Sequence, residues 1–363
     1  MKFRCERDVL AEALGAAGRA ATGRTGSLPV LQGIRLELKG DRLTVTGSDL
    51  ELTVQYELTV DGQQDGGMVV PKLTSDIVKS LGDPKVELLA EGEEVTVAAG
   101  RSRFTIRPWA YDDYPRVGST TASSVTLPAA DFIDALRQVV RAASTDEQKP
   151  QLTGVLLAAE AGGLRLVATD SYRLAVRDLA GTTVLGTDQQ VLVPARALQE
   201  VIRLASGAGE LTLRLGERDA TFEVASARVT TRLIDQPFPN YRQLMPQPAP
   251  NVLTIDKDAF TDALRRVRLL ARDTIPVRLH LGGSTLRLEA ISNDRGSVSE
   301  EVDAQFVGTE LTIAFNAEYL ASGIDACAGE QVTLSTQRES NRPAVLRGLG
   351  IDDYFYLLMP QKV

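Results

Sequence analysis

One histidine, two cysteines and one tryptophan among 363 residues leave this chain short of the groups from which most active sites are built. Any nucleophile activated by an imidazole would have to use His280. That residue stands in the alternating run Val277 to Leu281, where Val277, Leu279 and Leu281 share one face and His280 lies with Arg278 on the other, as an exposed strand histidine does. Cys5 and Cys327 are too few for a disulfide framework or a zinc cluster and read as packing residues. The glycine motifs that cradle phosphates and the Gly-x-Ser-x-Gly nucleophile turn are absent. Asp112-Asp113 and Asp352-Asp353 offer hard oxygen ligands, but each pair sits beside a tyrosine in a turn-like context, without a third acid at matching spacing. Both read as solvated turns. The expectation is a protein with no catalytic residue, no metal and no cofactor. No apolar run approaches a membrane span, and the charges from Lys2 to Glu12 leave no room for a signal peptide or anchor, which points to the cytoplasm.

What is present is a repeat. The composition, 43% hydrophobic and 24% charged, is that of a folded globular protein. A helix is expected over Arg7 to Ala20, with Leu10 and Leu14 one turn apart, and its pattern recurs from Asp131 and again from Asp258. Leu10, Phe132 and Phe260 align. Each such helix is followed by a hairpin, most clearly Val155 to Ala159 and Leu164 to Val167 over Ala-Gly-Gly, and that hairpin runs into the polar knot Thr169 to Arg173. A second helix then begins near Pro71, Pro194 or Asn316; the prolines suit a helix start and Asn316 can cap. Alternating runs close each unit. Linkers are expected at 117–124 and 246–251, which divides the chain into units 1–119, 120–248 and 249–363. The fold class is α+β: three repeated units of antiparallel sheet with two helices each.

The net charge of −8 hides an uneven distribution. With Phe132, Leu136, Val139 and Ala143 as a core stripe, Arg137 and Arg141 point away from it; Arg265 and Arg268 lie beside the matching stripe of the third unit. The second helices add Lys72 with Lys79 and Arg196 with Arg203, each pair seven residues apart. Cations spread over helix faces, without Asn or Gln in a reading pattern, suit phosphates and not base edges. The third unit departs, with Glu318 and Asp325 where the second has Arg196 and Arg203. Leu269 breaks the wheel by pointing opposite to its own core, with Leu270 beside it, as a stray surface leucine or a subunit contact would.

Several stretches carry a family likeness: Met1 to Phe3, Leu28 to Leu31, Thr46 to Glu51, Arg101 to Phe104, Val167 to Ala175, Phe238 to Arg242, Phe315-Asn316 and Leu358 to Pro360. In order and spacing the chain resembles, over its whole length, the bacterial DNA polymerase III β subunits, the replicative sliding clamps. The resemblance implies a head-to-tail homodimer closing a ring, helices lining a channel for duplex DNA held without sequence preference, and a processivity role for the replicative polymerase. It also implies a groove between the second and third units, into which polymerases, the clamp loader and repair proteins insert a short hydrophobic peptide, often Gln followed by Leu-x-Leu-Phe.

By motif, one wall of that groove takes Leu152, Thr169, Ser171, Tyr172, Arg173 and Leu174. Pro239, Gln243 and Leu244 come from a second stretch, and Leu357, Met359, Pro360 and Gln361 from the last one. An apolar slot edged by hydroxyl and guanidinium donors is what such a peptide needs. Ser171-Tyr172 stands where some relatives have Gly-His, and Gln243 where an arginine can occur. The resemblance further assigns DNA contacts to Arg24 and to the loop of Gln148 and Lys149, and a subunit boundary to Phe104 and Ile106 against Leu269 and Leu270. A hydrolase built on the 169–173 knot would lack a base and a metal. A sequence-specific DNA reader would need a compact base-reading helix face, which no segment shows.

Overall fold

In the computed structural model, which describes residues 1–23, 28–115, 124–160, 162–271 and 275–362, the repeat shows first in its buried positions. Leu10, Phe132 and Phe260 are each 0% exposed, and Leu14, Leu136 and Leu264 are buried one turn on. Removing each such side chain from water contributes roughly 1.5–3 kcal/mol, so equivalent contacts hold three equivalent helices.

The first repeat runs β1 (Lys2–Glu6), α1 (Arg7–Ala20), β2 (Gly33–Lys39), β3 (Arg42–Ser48), β4 (Leu52–Thr59), β5 (Asp61–Gln64), β6 (Gly66–Pro71), α2 (Leu73–Ser80), β7 (Lys85–Glu91), β8 (Glu94–Ala99) and β9 (Ser102–Ile106). The second has β10 (Ser124–Pro128), α3 (Ala129–Val139), β11 (Gly154–Glu160), β12 (Gly163–Thr169), β13 (Arg173–Ala180), β14 (Gln190–Pro194), α4 (Ala195–Leu204), β15 (Glu210–Leu215), β16 (Asp219–Val224) and β17 (Ala227–Arg232). The third has β18 (Asn251–Asp256), α5 (Lys257–Val267), β19 (Val277–Gly282), β20 (Thr285–Ser292), β21 (Gly296–Val307), β22 (Leu311–Phe315), α6 (Ala317–Ala326), β23 (Gln331–Thr336), β24 (Ala344–Gly348) and β25 (Tyr354–Leu358).

These elements group into two units, and the middle repeat is shared between them. One unit joins Met1–Ile133 to Arg196–Leu233. It holds a five-stranded sheet, β5-β1-β7-β8-β9, and an eight-stranded one, β10-β15-β16-β17-β4-β3-β2-β6. Inside the latter, β17 of the second repeat pairs antiparallel with β4 of the first, Val229 opposite Val54. The other unit joins Asp134–Ala195 to Ile234–Val363 and carries a twelve-stranded sheet, β14-β11-β12-β13-β25-β24-β23-β18-β21-β20-β19-β22. There β25 of the third repeat pairs antiparallel with β13 of the second, Leu357 opposite Leu174. Helix α1 lies so close to its sheet that a Cβ on Gly47 would stand 1.8 Å from the Ala17 carbonyl oxygen, an approach only glycine allows.

Some expectations need correction. A five- or six-residue strand, β1, β10 or β18, precedes each first helix, so the order in each repeat is strand, helix, strands, helix, strands. Ser124 and Asn251 open two of these strands instead of closing linkers; 117–123 lies outside the described residues. Pro71 and Pro194 end β6 and β14 and do not open helices. Both strands lie at sheet edges, where a missing N–H breaks no ladder bond. Helix α2 starts only at Leu73, leaving Lys72 ahead of it. Arg141 lies in a 3₁₀ turn, Val140–Ala142, beyond the end of α3, and so off the α-helical wheel. The cap at Asn316 is as expected: its Oδ1 accepts from the Glu318 and Tyr319 N–H groups at 2.9 and 3.0 Å.

Candidate partner groove and nucleic-acid face

The polar knot is the turn between β12 and β13. Asp170 Oδ1 accepts from the N–H groups of Tyr172 and Arg173 at 2.9 and 3.0 Å, and Thr169 Oγ1 donates to the Arg173 carbonyl at 2.6 Å while accepting from Ser171 N at 3.2 Å. These bonds close a tight Asx turn that holds Ser171 at φ 80°, in the left-handed region. Asp170 Oδ2 accepts from Arg173 Nε at 2.9 Å, and both side chains are mostly buried. Tyr172 projects outward, 61% exposed.

The C-terminal strand completes this wall. Met359 N donates to the Tyr172 carbonyl at 2.8 Å, and Gln361 N donates to Ala314 at 2.8 Å, so the last residues are tied down at two points. Leu174 and Leu357 are buried in one apolar cluster with Tyr241 and Phe355, against which Phe238 and Met245 pack. Pro239, Gln243 and Leu244 therefore enter on the strap that carries Phe238, Tyr241 and Met245; Gln243 and Leu244 are exposed at its surface. Pro360 is half-buried. Leu152 ends a 3₁₀ turn ahead of β11 and is buried, outside that cluster.

Tyr319 on α6 belongs here and was not among the residues expected. Its ring stacks on Tyr172 with centroids 6.3 Å apart, and the Arg173 guanidinium carbon lies 4.3 Å from its ring centre. Burial pushes the Tyr319 hydroxyl up, and the Tyr356 hydroxyl is pushed up to about 12 by burial, against Arg173; both stay protonated at neutral pH. Tyr356 donates to the Tyr319 carbonyl at 2.9 Å. The signal was a comparison of repeats: Thr74 and Ala197 occupy the matching places on α2 and α4, so the aromatic is particular to the third. Tyr172, Leu244 and Met359 are exposed, whereas Leu174 and Leu357, paired across the sheet behind the turn, are buried.

The cations expected to meet DNA are present but mostly occupied. Arg137 pairs with Asp134 at 2.9 Å, Arg141 with Asp325 at 3.4 Å and Arg265 with Asp262 at 2.9 Å. Arg268 pairs with Glu318, Arg203 with Glu200 and Arg196 with Asp49. Lys149 reaches Asp146 at 4.0 Å in a turn that also presents Gln148. Lys79 is exposed; burial, then the neighbouring charge of Arg196, lowers the Lys72 ammonium pKa. The faces are thus alternating in charge and not uniformly basic. Arg24 lies outside the described residues.

At the expected subunit boundary, Phe104 is 39% exposed on β9, an outermost strand, and Ile106 packs partly on the first core. Leu269 is 65% exposed, with Leu270 half-buried. In β21, Gly296 to Asp303 pair with β20, and only Ala304 to Val307 pair with β18, so its first part has one side without a partner strand among the described residues.

His280 is half-buried instead of exposed, with Nδ1 3.0 Å from Thr312 Oγ1 and Nε2 3.3 Å from Glu289. Burial pushes the Cys5 and Cys327 thiols up to about 12, which keeps them protonated at neutral pH. Asp112 and Asp113 sit in an exposed 3₁₀ turn, whereas Asp352 and Asp353 are ion-paired to Arg347 and Arg177 and are not simply solvated. Among the described residues no group of three or more His, Cys, Asp or Glu could hold a metal ion, and no helix is long and apolar enough to cross a membrane.

Residues 1–118, 126–240 and 242–362 match, in turn, the models of the N-terminal, central and C-terminal domains of the DNA polymerase III beta subunit. The beta sliding clamp of Streptomyces coelicolor is 35% identical over 376 residues, covering 100% of both chains, and that of Synechocystis is 31% identical over 391 residues with the same coverage. A Pseudomonas aeruginosa sliding clamp solved bound to griselimycin superposes with a TM-score of 0.89 at 28% identity, covering 100% of both chains. The Bacillus subtilis clamp superposes equally, with a TM-score of 0.89, at 26% identity over 100% of this chain and 99% of that one. A threefold repeat of sheet and helices and full-length matches in every part lead to one conclusion: the chain belongs to the DNA polymerase III beta subunit family, the bacterial sliding clamps.

Proposed function

We propose that this chain is the ring subunit of a replicative sliding clamp, a non-catalytic tether that encircles duplex DNA, confers processivity on the replicative polymerase and acts in the cytoplasm. Its domains are taken as 1–119, 120–248 and 249–363. Partners, among them the polymerase and clamp loader, dock by short hydrophobic peptides on the surface of Tyr172, Arg173, Leu244, Met359 and Tyr319. The observation that carries this is the pairing of exposed apolar side chains with a fully hydrogen-bonded turn, tied to the C-terminal strand by the Met359 to Tyr172 bond.

Ring closure has a template inside the chain. The last strand of the second repeat joins β4 of the first, and the last strand of the third joins β13 of the second. The last strand of the first repeat, β9, and the matching part of β21 are left to meet those of a second copy, with Phe104 and Ile106 near Leu269 and Leu270. DNA is held through phosphates by Arg24, Gln148, Lys149 and the helix cations, weakly enough to slide.

The test is fluorescence anisotropy of a labelled Gln-Leu-x-Leu-Phe peptide on the intact protein and on one lacking its last five residues, both first shown to be dimers by sedimentation. Truncation removes Met359 and both tail hydrogen bonds and is expected to cost several kcal/mol of binding, the scale of hot-spot loss. Equal affinity would place the docking surface elsewhere.

A further inference from the structure

Helix α6 carries acids where its counterparts carry bases or uncharged residues. Glu318 stands at the place of Arg196 and Leu73, and Asp325 at that of Arg203 and Ser80. Seven residues apart, they share the face of α6 opposite Leu320 and Ile324, which are buried. Asp325 also lies in the last turn, where the helix dipole disfavours an anion, whereas α2 and α4 have Lys79 and Arg203 in that turn. Although it favours Glu318 in the first turn, helix stability does not explain Asp325.

The partners of the two acids do. Asp325 Oδ2 lies 3.4 Å from Arg141 Nη1 in the wall of an open cleft of about 580 Å³ that also holds the pairs Arg137–Asp134 and Arg177–Asp353. Glu318 pairs with Arg268, the C-cap residue just after α5. Both acids are at least half exposed, so these pairs add little to folding. Their effect on a third charge is larger: each carboxylate occupies an arginine that would otherwise take a phosphate, and it repels the phosphate directly.

We infer that Glu318 and Asp325 are intramolecular competitors for DNA phosphate at Arg268 and Arg141, setting the grip of the channel low so that the ring slides. This rests on the DNA-tether reading above. A phosphate must displace a carboxylate before either arginine releases a counterion, so the two contacts are largely missing from the salt dependence of the parent protein.

The experiment measures anisotropy of a short fluorescein-labelled linear duplex over a series of salt concentrations, with sedimentation confirming a dimer in each case. The isosteric double variant Glu318→Gln, Asp325→Asn is expected to bind about tenfold more tightly at low salt, with a log K against log salt slope steeper by up to about two, since each freed cation adds about 0.9. The companion variant Arg141→Gln, Arg268→Gln is expected to lose less than the acid variant gains, because its arginines begin occupied. If the acid variant matches the parent in affinity and slope while the arginine variant weakens, competition is overturned and the DNA face stands. If neither variant changes binding, the assignment of these arginines to DNA falls with it.

Discussion

Two turns in this molecule share a backbone and differ in what they do. In the first unit, Asp49 Oδ1 accepts from Glu51 N and Leu52 N at 3.1 and 2.8 Å, Ser48 Oγ accepts from Leu50 N at 3.1 Å, and Leu50 is at φ 75°. Asp170, Thr169 and Ser171 repeat each bond in the second unit, with Ser171 at φ 80°. Arg232 N reaches the Glu51 carbonyl at 3.0 Å just as Met359 N reaches that of Tyr172. The side chains then part company. Asp49 spends its second oxygen on Arg196 and Thr22, whereas Asp170 holds Arg173 of its own turn, which lies over Tyr319. One turn joins a helix to a sheet; the other presents Tyr172 and Met359. A repeated backbone motif supplies a stage, and a few side chains decide whether it ties down a helix or stands open at the surface.

The comparison extends to the open edges, where the largest effect is expected. Leu269→Asp should yield monomers by sedimentation, because an unpaired carboxylate would be buried against an apolar edge, while both internal junctions stay folded. At the groove, Tyr172→Ala removes the ring stacked on Tyr319 and is expected to weaken peptide binding by about 2 kcal/mol, a hot-spot value. Leu50→Ala, at the matching turn, should leave anisotropy titrations of the same peptide unchanged. Loss of affinity in both would mean that the two turns are not functionally distinct.

The third expectation concerns acid. Burial opposes ionisation of Asp49, but the Leu52 N–H, Arg196 and the Glu51 N–H together hold its carboxyl below the ordinary 3.8. The unfolded chain therefore binds that proton more readily, so the stabilisation is complete above about pH 5 and is lost as pH falls through the unfolded value and then the lowered one. Asp49→Asn should cost about 1–2 kcal/mol at neutral pH, and its thermal melting should depend less steeply on pH below about 4 than that of the parent. The smallest effect belongs to the strained residues. Ser171→Gly and Leu50→Gly each relieve a left-handed backbone and are expected to be neutral or to stabilise by up to about 1 kcal/mol in denaturant titrations.

Much of this is legible in the sequence. Core positions such as Leu10, Phe132 and Phe260, the hairpin into the 169–173 turn and the Asn316 cap follow from local signals, whose physics acts within a few residues; Leu269 is exposed as expected but lies in the turn beyond α5, off the α-helical wheel. The groove needed the family likeness to bring residues 169–174 to 357–361, a pairing across the sheet that no local pattern encodes. Short strands ahead of the helices are too brief to alternate visibly, and Pro71 and Pro194 resemble helix starts because an edge strand tolerates proline for the same reason a helix start does.

By itself the sequence determined three repeats, their buried faces and the inventory of cations, since each depends on residue type and near-neighbour spacing. Only the tertiary structure decided which charge meets which. Arg141 and Asp325 are 184 residues apart, and a helical wheel shows each as an exposed charge, never as a pair. Tyr319 is likewise an ordinary helix residue until Tyr172 and Arg173 pack on it from another repeat. Ion pairs and ring stacks are contacts of a few ångströms between distant chain positions, so they exist only after folding has brought those positions together.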